Sequence, residues 1–322
     1  MAEPTPTDPE QTDPEQTDPE QTDPEQTDPE QTDPEQTDPE QTDPGRRVTS
    51  FGNDGLTFDV LDQGPVDGEP IVLLHGFPER ATCWRLVAPL LHAAGYRTLA
   101  LDQRGYSPGA RPPRRRDYLL PALAGDVVAL IDRVTGPGGS AHVVGHDWGA
   151  AAAWTVAGLH PDRVRTLTAV SVPHPRAFIA AARHSGQLLR SWYMLMFQLP
   201  VVPELVIGRS RSDRMLRSFG MTAADVARFR DEIVDDGALP TALNWYRALP
   251  LSDPRGGAGR IEVPTTMIWS DGDTAIARWG AAHSGSWVDA DFNFVELAGV
   301  SHWIPTQAAE ACAEAVLERV GG

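Results

Sequence analysis

Apolar residues along this chain fall into short runs, and the spacing between the runs sets the fold expectation. Val48–Phe51 and Leu56–Leu61 flank Asn53-Asp54-Gly55, a strong turn signal, and predict a hairpin. Compact apolar runs follow at Ile71–Leu74, Arg97–Leu101, His142–Gly145, Leu167–Ser171, Thr265–Trp269 and Phe294–Leu297, each closed by glycine or polar residues. Helix-length segments lie between most of them, such as Trp84–Ala94, Pro121–Val134 and Ala150–His160. Strands alternating with helices in this way predict an α/β protein with a mostly parallel, eight-stranded sheet covered on both faces.

The rhythm stops after the sixth strand. From Pro175 to Arg260 there is no convincing strand, only amphipathic helical stretches broken by proline and glycine. About 85 residues is too long for a simple crossover, so this interval predicts a helical cap over the ligand-binding edge of the sheet. The organisation expected is a core over 45–175, a cap over 176–260 and the rest of the core over 261–322. A tail over 1–44 precedes them. From Glu10 to Pro44 the tail repeats Glu-Gln-Thr-Asp-Pro seven times. Proline in every repeat bars a continuous helix, and no repeat offers an apolar side chain to offset the entropy of ordering. An extended, disordered acidic tail is expected.

Charge changes the picture only by locating it. The tail holds 16 of the 45 acids and no base, so −16 of the net −18 belongs to it and −2 to the body. All 27 bases are arginine, scattered among acids without a basic stripe, which gives no support for nucleic-acid binding. The two cysteines, Cys83 and Cys312, cannot form a metal site alone. Cys312 shares a helical face with Ala308, Ala315 and Val316 and is expected to pack in the core. The best membrane-span candidate, Trp192–Ile207, is interrupted by Gln198, Pro200, Pro203 and Glu204. A soluble, cytoplasmic protein with no membrane partner is expected.

Ligands of open α/β sheets bind beyond the carboxyl ends of the strands. There this sequence places His75-Gly76-Phe77-Pro78, His146-Asp147-Trp148-Gly149, Asp271 and Asp273, and Ser301-His302-Trp303. Gly145-His146-Asp147-Trp148-Gly149 has the pattern Gly-x-nucleophile-x-Gly between a strand and an alanine-rich helix, with aspartate where serine hydrolases carry serine. A carboxylate needs no base to attack an sp3 carbon and leaves an alkyl-enzyme ester. Capping of the following helix is the plain alternative for Asp147. His302, oriented by an acid, suits the activation of water against that ester. Asp273 is the preferred acid, with Asp271 two residues away as the alternative. Backbone N–H groups of Phe77 and Trp148 are candidates for an oxyanion hole. His75 and His146 are expected to hold loops through hydrogen bonds, with Gly76 and Pro78 shaping the turn.

The body resembles an α/β-hydrolase of the epoxide hydrolase family. The resemblance rests on His75-Gly76-Phe77-Pro78-Glu79, Asp102-Gln103-Arg104-Gly105-Tyr106, Gly145-His146-Asp147-Trp148-Gly149, Trp269 to Asp273 and Gly299-Val300-Ser301-His302-Trp303. It implies that two cap tyrosines polarise or protonate the epoxide oxygen. Trp192-Tyr193 and Asn244-Trp245-Tyr246-Arg247 match the tyrosine-bearing cap motifs, which assigns that role to Tyr193 and Tyr246. The implied substrates are a small apolar epoxide and water, with no cofactor or metal, in a monomer or homodimer. Dehalogenation of haloalkanes or haloacids by the same Asp-His-Asp triad is the alternative. Against it, Phe77 stands where haloalkane dehalogenases commonly carry a halide-binding asparagine, and Trp148 where fluoroacetate dehalogenases typically carry arginine. A catalytically idle receptor on the same fold is a more distant reading, since no triad member is missing.

Overall fold

The computed structural model describes residues 46–209, 213–252 and 257–322; the repeat tail expected over 1–44 lies outside them. Eight strands form one sheet in the order β1-β2-β4-β3-β5-β6-β7-β8. These are β1 Ser50–Asn53, β2 Leu56–Gln63, β3 Pro70–Leu74, β4 Arg97–Leu101, β5 Ala141–His146, β6 Val164–Val170, β7 Thr265–Ser270 and β8 Phe292–Leu297. β2 runs antiparallel to β1 and β4, and the other neighbours are parallel. Each predicted strand is present, with ends shifted by up to three residues. The sheet is the mostly parallel one the apolar runs imply.

Burial explains why those runs lack strict alternation. Every residue of β4, β5 and β7 is buried, because helices cover both faces. The helices before the insertion are α1 Ala88–Ala93, α2 Leu120–Thr135 and α3 Trp148–Leu159. The core divides into two apolar clusters: one holds Trp154, Leu130 and Met267, the other Ile71, Trp84 and Cys312. Both cysteines are buried and free. The helix expected over Trp84–Ala94 is split into a 3-10 turn, Ala81–Leu86, and α1. Pro89 has no N–H for the Arg85 carbonyl, so one continuous helix is barred there.

Besides a π-helical turn, Arg230–Asp235, and a 3-10 turn, Leu249–Leu251, the described residues between β6 and β7 hold eight short α-helices and no strand. They are α4 Pro175–His184, α5 Gln187–Arg190, α6 Trp192–Met196, α7 Val202–Ile207, α8 Asp213–Ser218, α9 Ala223–Phe229, α10 Leu239–Ala242 and α11 Asn244–Ala248. The chain returns through β7, α12 Arg278–Ala282, β8, α13 Ile304–Gln307 and α14 Ala309–Val320. No helix among the described residues is long and apolar enough to cross a membrane. Parallel register aligns the carboxyl ends: Leu74 pairs with Leu101 and Gly145, His146 with Val170, and Val170 with Ile268. One edge of the sheet therefore presents the residues just after 74, 101, 146, 170 and 270.

Candidate active site

A single residue, Asp147, separates β5 from α3, with φ 53° and ψ −119°. That left-handed φ is costly for a residue with a side chain and persists only where the surroundings enforce it. Its neighbours show why the turn needs glycine. A Cβ on Gly145 would meet the Gly149 carbonyl, one on Gly149 the Leu74 carbonyl, and one on Gly76 the Asp147 side chain itself. The backbone is packed so closely that the carboxylate is held at the sheet edge.

There the Phe77 N–H donates to Asp147 Oδ1 at 2.8 Å. The Trp148 N–H is the first of α3, one of the donors a helix leaves unpaired at its N-terminus. His302 Nε2 stands 3.3 Å from Asp147 Oδ2, and its Nδ1 donates to Asp273 Oδ2 at 2.7 Å. The second oxygen of Asp273 accepts from the N–H groups of Ala275 and Ile276 at 2.7 and 2.8 Å, which fixes its plane. Asp271 turns elsewhere, accepting from the Gly299 N–H at 2.7 Å. The loop carrying His302 is pinned through its carbonyl, which accepts from His146 Nε2 at 3.0 Å and the Ser171 hydroxyl at 2.8 Å. His75 donates from Nδ1 to the Gly76 carbonyl at 3.0 Å and accepts the Gln103 N–H on Nε2 at 3.1 Å. Burial lowers its pKa, which keeps it neutral in this structural role. The turn closes with a cis Phe77–Pro78 bond.

Electrostatics couple the triad. Burial pushes the Asp147 carboxyl up, but the hydrogen bond and charge of His302, the nearby His146 and the Phe77 N–H outweigh it, so the net shift is downward. Burial alone would lower the His302 pKa; the charge of Asp273 and the hydrogen bonds to Asp147 and Asp273 raise it instead, to about 10. At neutral pH the resting site is an imidazolium held between two carboxylates.

Tyr193 on α6 and Tyr246 on α11 face the same carboxylate. Their rings lie 6.0 Å apart, nearly perpendicular, and Tyr246 packs edge-on against Trp148 and Phe77 at 5.0 and 5.2 Å. Burial, with the negative charge of Asp147 adding to it, pushes both phenols well above their ordinary pKa, so both stay protonated. Two cavities meet at Asp147, Tyr193 and Tyr246. One is lined also by His302, Phe77 and Trp192; the other, of about 580 Å³, by Trp148, Phe178, Met194 and Leu249.

Residues 69–304 match the α/β-hydrolase fold family. The chain is 35% identical over 260 residues to the AB hydrolase superfamily protein YfhM of Bacillus subtilis, covering 78% of this chain and 90% of that protein. It is 32% identical over 266 residues to epoxide hydrolase 3 of Xenopus tropicalis, covering 78% of this chain and 71% of that protein. The crystal structure of epoxide hydrolase A from Mycobacterium thermoresistibile superposes with a TM-score of 0.73 at 26% identity, over 85% of this chain and 97% of that one. The chain belongs to the epoxide hydrolase family of the α/β-hydrolase fold.

In this family member the residues around Tyr246 each hold a separate part of the insertion. Trp245 Nε1 donates to the Arg104 carbonyl at 2.8 Å, which ties α11 to the loop after β4. Gln198 donates to the Tyr246 carbonyl at 2.8 Å. Arg247 is buried and grips both Glu204 oxygens at 2.8 and 3.0 Å, and it donates to the Phe197 and Leu199 carbonyls. Sequence reasoning gave Glu204 no role. A charged residue among the prolines of a helical stretch is as readily a solvated one, and its partner lies 43 positions away. Glu79 also escaped a role. Its buried carboxylate stands 3.5 Å from His146 Nδ1 and 3.5 Å from Arg228, behind the triad.

Proposed function

We propose that this hydrolase opens epoxides to vicinal diols through a covalent ester on Asp147. The Asp147 carboxylate attacks one ring carbon as the carbon–oxygen bond breaks, and Tyr193 and Tyr246 donate to the departing oxygen. Each such donor, placed where charge develops, is worth about 3 kcal/mol of barrier. Alkylation turns Asp147 into a neutral ester and removes one of the two charges that hold the His302 proton. His302 therefore gives up its resting proton, which neutralises the ring-opened alkoxide, and as a neutral imidazole it takes a proton from the water that adds to the ester carbonyl, while Asp273 stabilises the imidazolium that re-forms. The N–H groups of Phe77 and Trp148 hold the tetrahedral oxyanion, and its collapse frees the diol and the carboxylate.

The observation that carries this reading is the bridge of one imidazole between Asp147 at 3.3 Å and Asp273 at 2.7 Å, in a pocket that two protonated tyrosines also line. A base next to a carboxylate nucleophile has no use in the first step; it serves the hydrolysis of an ester. Cavities on both sides of the carboxylate favour epoxides with apolar groups on both ring carbons. The His302→Gln variant should therefore stop after alkylation. Intact-protein mass spectrometry under saturating styrene oxide should show a gain equal to the epoxide's mass. No adduct in that variant, with wild-type turnover intact, would rule out the covalent route.

A further inference from the structure

Among the described residues, the stretch Leu188 to Val206, which spans α5, α6 and α7, carries nine of the fifteen exposed large apolar side chains. Leu188, Leu189, Leu195 and Val201 are 70, 80, 77 and 61% exposed, and Trp192 is 52% exposed. Single exposed leucines are ordinary; a run of them marks a surface with a partner. The charge around this run is opposite in sign to that of the whole chain. Pro175 to Gly220 contains seven arginines and two acids, in a chain of net charge −18. Both acids are taken up by arginines from outside that stretch, Glu204 by Arg247 and Asp213 by Arg230. Arg183, Arg190, Arg214 and Arg217 are exposed and flank the apolar run in sequence, with Arg190 also donating to the Asp273 carbonyl. With charges screened beyond about 10 Å, the local sign governs what this face meets.

We infer that this face docks peripherally on an anionic lipid surface, from which apolar substrate enters the catalytic cavity. A second copy of the chain would bring two positive faces together, which like-charge repulsion opposes. The chain's own acidic residues 1–44 match the arginines in charge, but their Glu-Gln-Thr-Asp-Pro repeat has no apolar side chain to cover the leucines. Anionic headgroups with acyl chains beneath them satisfy both features, as for other interfacial segments that pair arginines with Trp and Leu. Continuity with the site adds the route. Trp192 and Met196 on α6 also line the cavity that holds Asp147 and His302. Docking of this kind needs no spanning segment, and no helix among the described residues could provide one. The docking is independent of the reaction; only the uptake step rests on the epoxide reading.

Flotation of the full chain with phosphatidylcholine–phosphatidylglycerol vesicles tests it, beside pure phosphatidylcholine vesicles and the Leu189→Glu/Leu195→Glu variant. Neither leucine lines either of the two cavities that meet at Asp147. The wild-type chain should float with the anionic vesicles and be released in about 1 M salt, where the screening length falls to about 3 Å. The variant should float about tenfold less, since carboxylates replace leucines at the lipid boundary. Its turnover of styrene oxide, supplied in water, should match wild type. No flotation of the wild-type chain, or equal flotation of the variant, overturns the inference. Concentration-dependent self-association in sedimentation, abolished in the variant, would overturn it by assigning the face to a second copy. Flotation without any turnover would leave the docking standing and remove the epoxide reading alone.

Discussion

The basicity of His302 is a property of three residues. With Asp147 ionised on one side and Asp273 on the other, the imidazole holds its proton up to about pH 10. Its raised pKa stabilises the fold fully below the ordinary value near 6.5, and that contribution is lost as pH rises through about 10. Asp147 has the opposite sign: its lowered pKa contributes above the ordinary value near 3.8 and loses that contribution as pH falls through the lowered one. On the proposed route, esterification of Asp147 leaves only Asp273 to hold the proton, so His302 would become a base at lower pH. Stopped-flow tryptophan fluorescence, reporting through Trp148 and Trp303 beside the site, should therefore separate two profiles. Alkylation should be flat from about pH 5 to about pH 9, whereas ester hydrolysis should rise with a limb well below 10. Coincident limbs for the two steps would contradict the coupling. The sequence made Asp147 and His302 legible because Asp147 directly follows β5, His302 lies in the loop after β8, and their chemistry is distinctive. It favoured Asp273 without excluding Asp271, since two carboxylates two residues apart differ only in which turn each one caps.

Among the elements, the sheet was readable to within three residues at each strand end, because runs buried on both faces announce themselves by composition. The insertion was readable only as helical. Its short helices owe their order less to amphipathic spacing than to side chains that reach across it, and no local pattern reveals such pairs. Arg247 is the clearest case, closing an ion pair with Glu204 and holding the backbone at Phe197 and Leu199. Arg247→Ala leaves the half-buried Glu204 without its cation and two carbonyls without a donor. A loss of about 3 kcal/mol is expected, since breaking a buried pair costs more than the pair itself contributes. For a body of this size that corresponds to a fall of about 5 °C in the thermal midpoint, measured by circular dichroism. Replacing both partners by methionine should recover much of the loss. An unchanged midpoint for Arg247→Ala would show that the contact does not hold the insertion.

At the scale of the whole molecule, the formal charge misleads, because −16 of −18 lies in residues 1–44 while the chemistry and the arginine-rich face lie elsewhere. The family motifs stand in order along the body, and parallel register brings them to one edge of the sheet. What the sequence could not supply is the exposure of Leu188 to Val206, since apolar residues in a helical insertion are as readily its core as its surface.

A covalent route through Asp147 delivers one of its carboxylate oxygens to the product. A single turnover in H₂¹⁸O, with enzyme in excess over epoxide, measures that directly. The first diol should be free of the label, and the Asp147 carboxylate should carry one heavy oxygen, located by peptide mass spectrometry. Label in that first diol, with none in the peptide carrying Asp147, would mean that water attacks the ring directly and would contradict the covalent route.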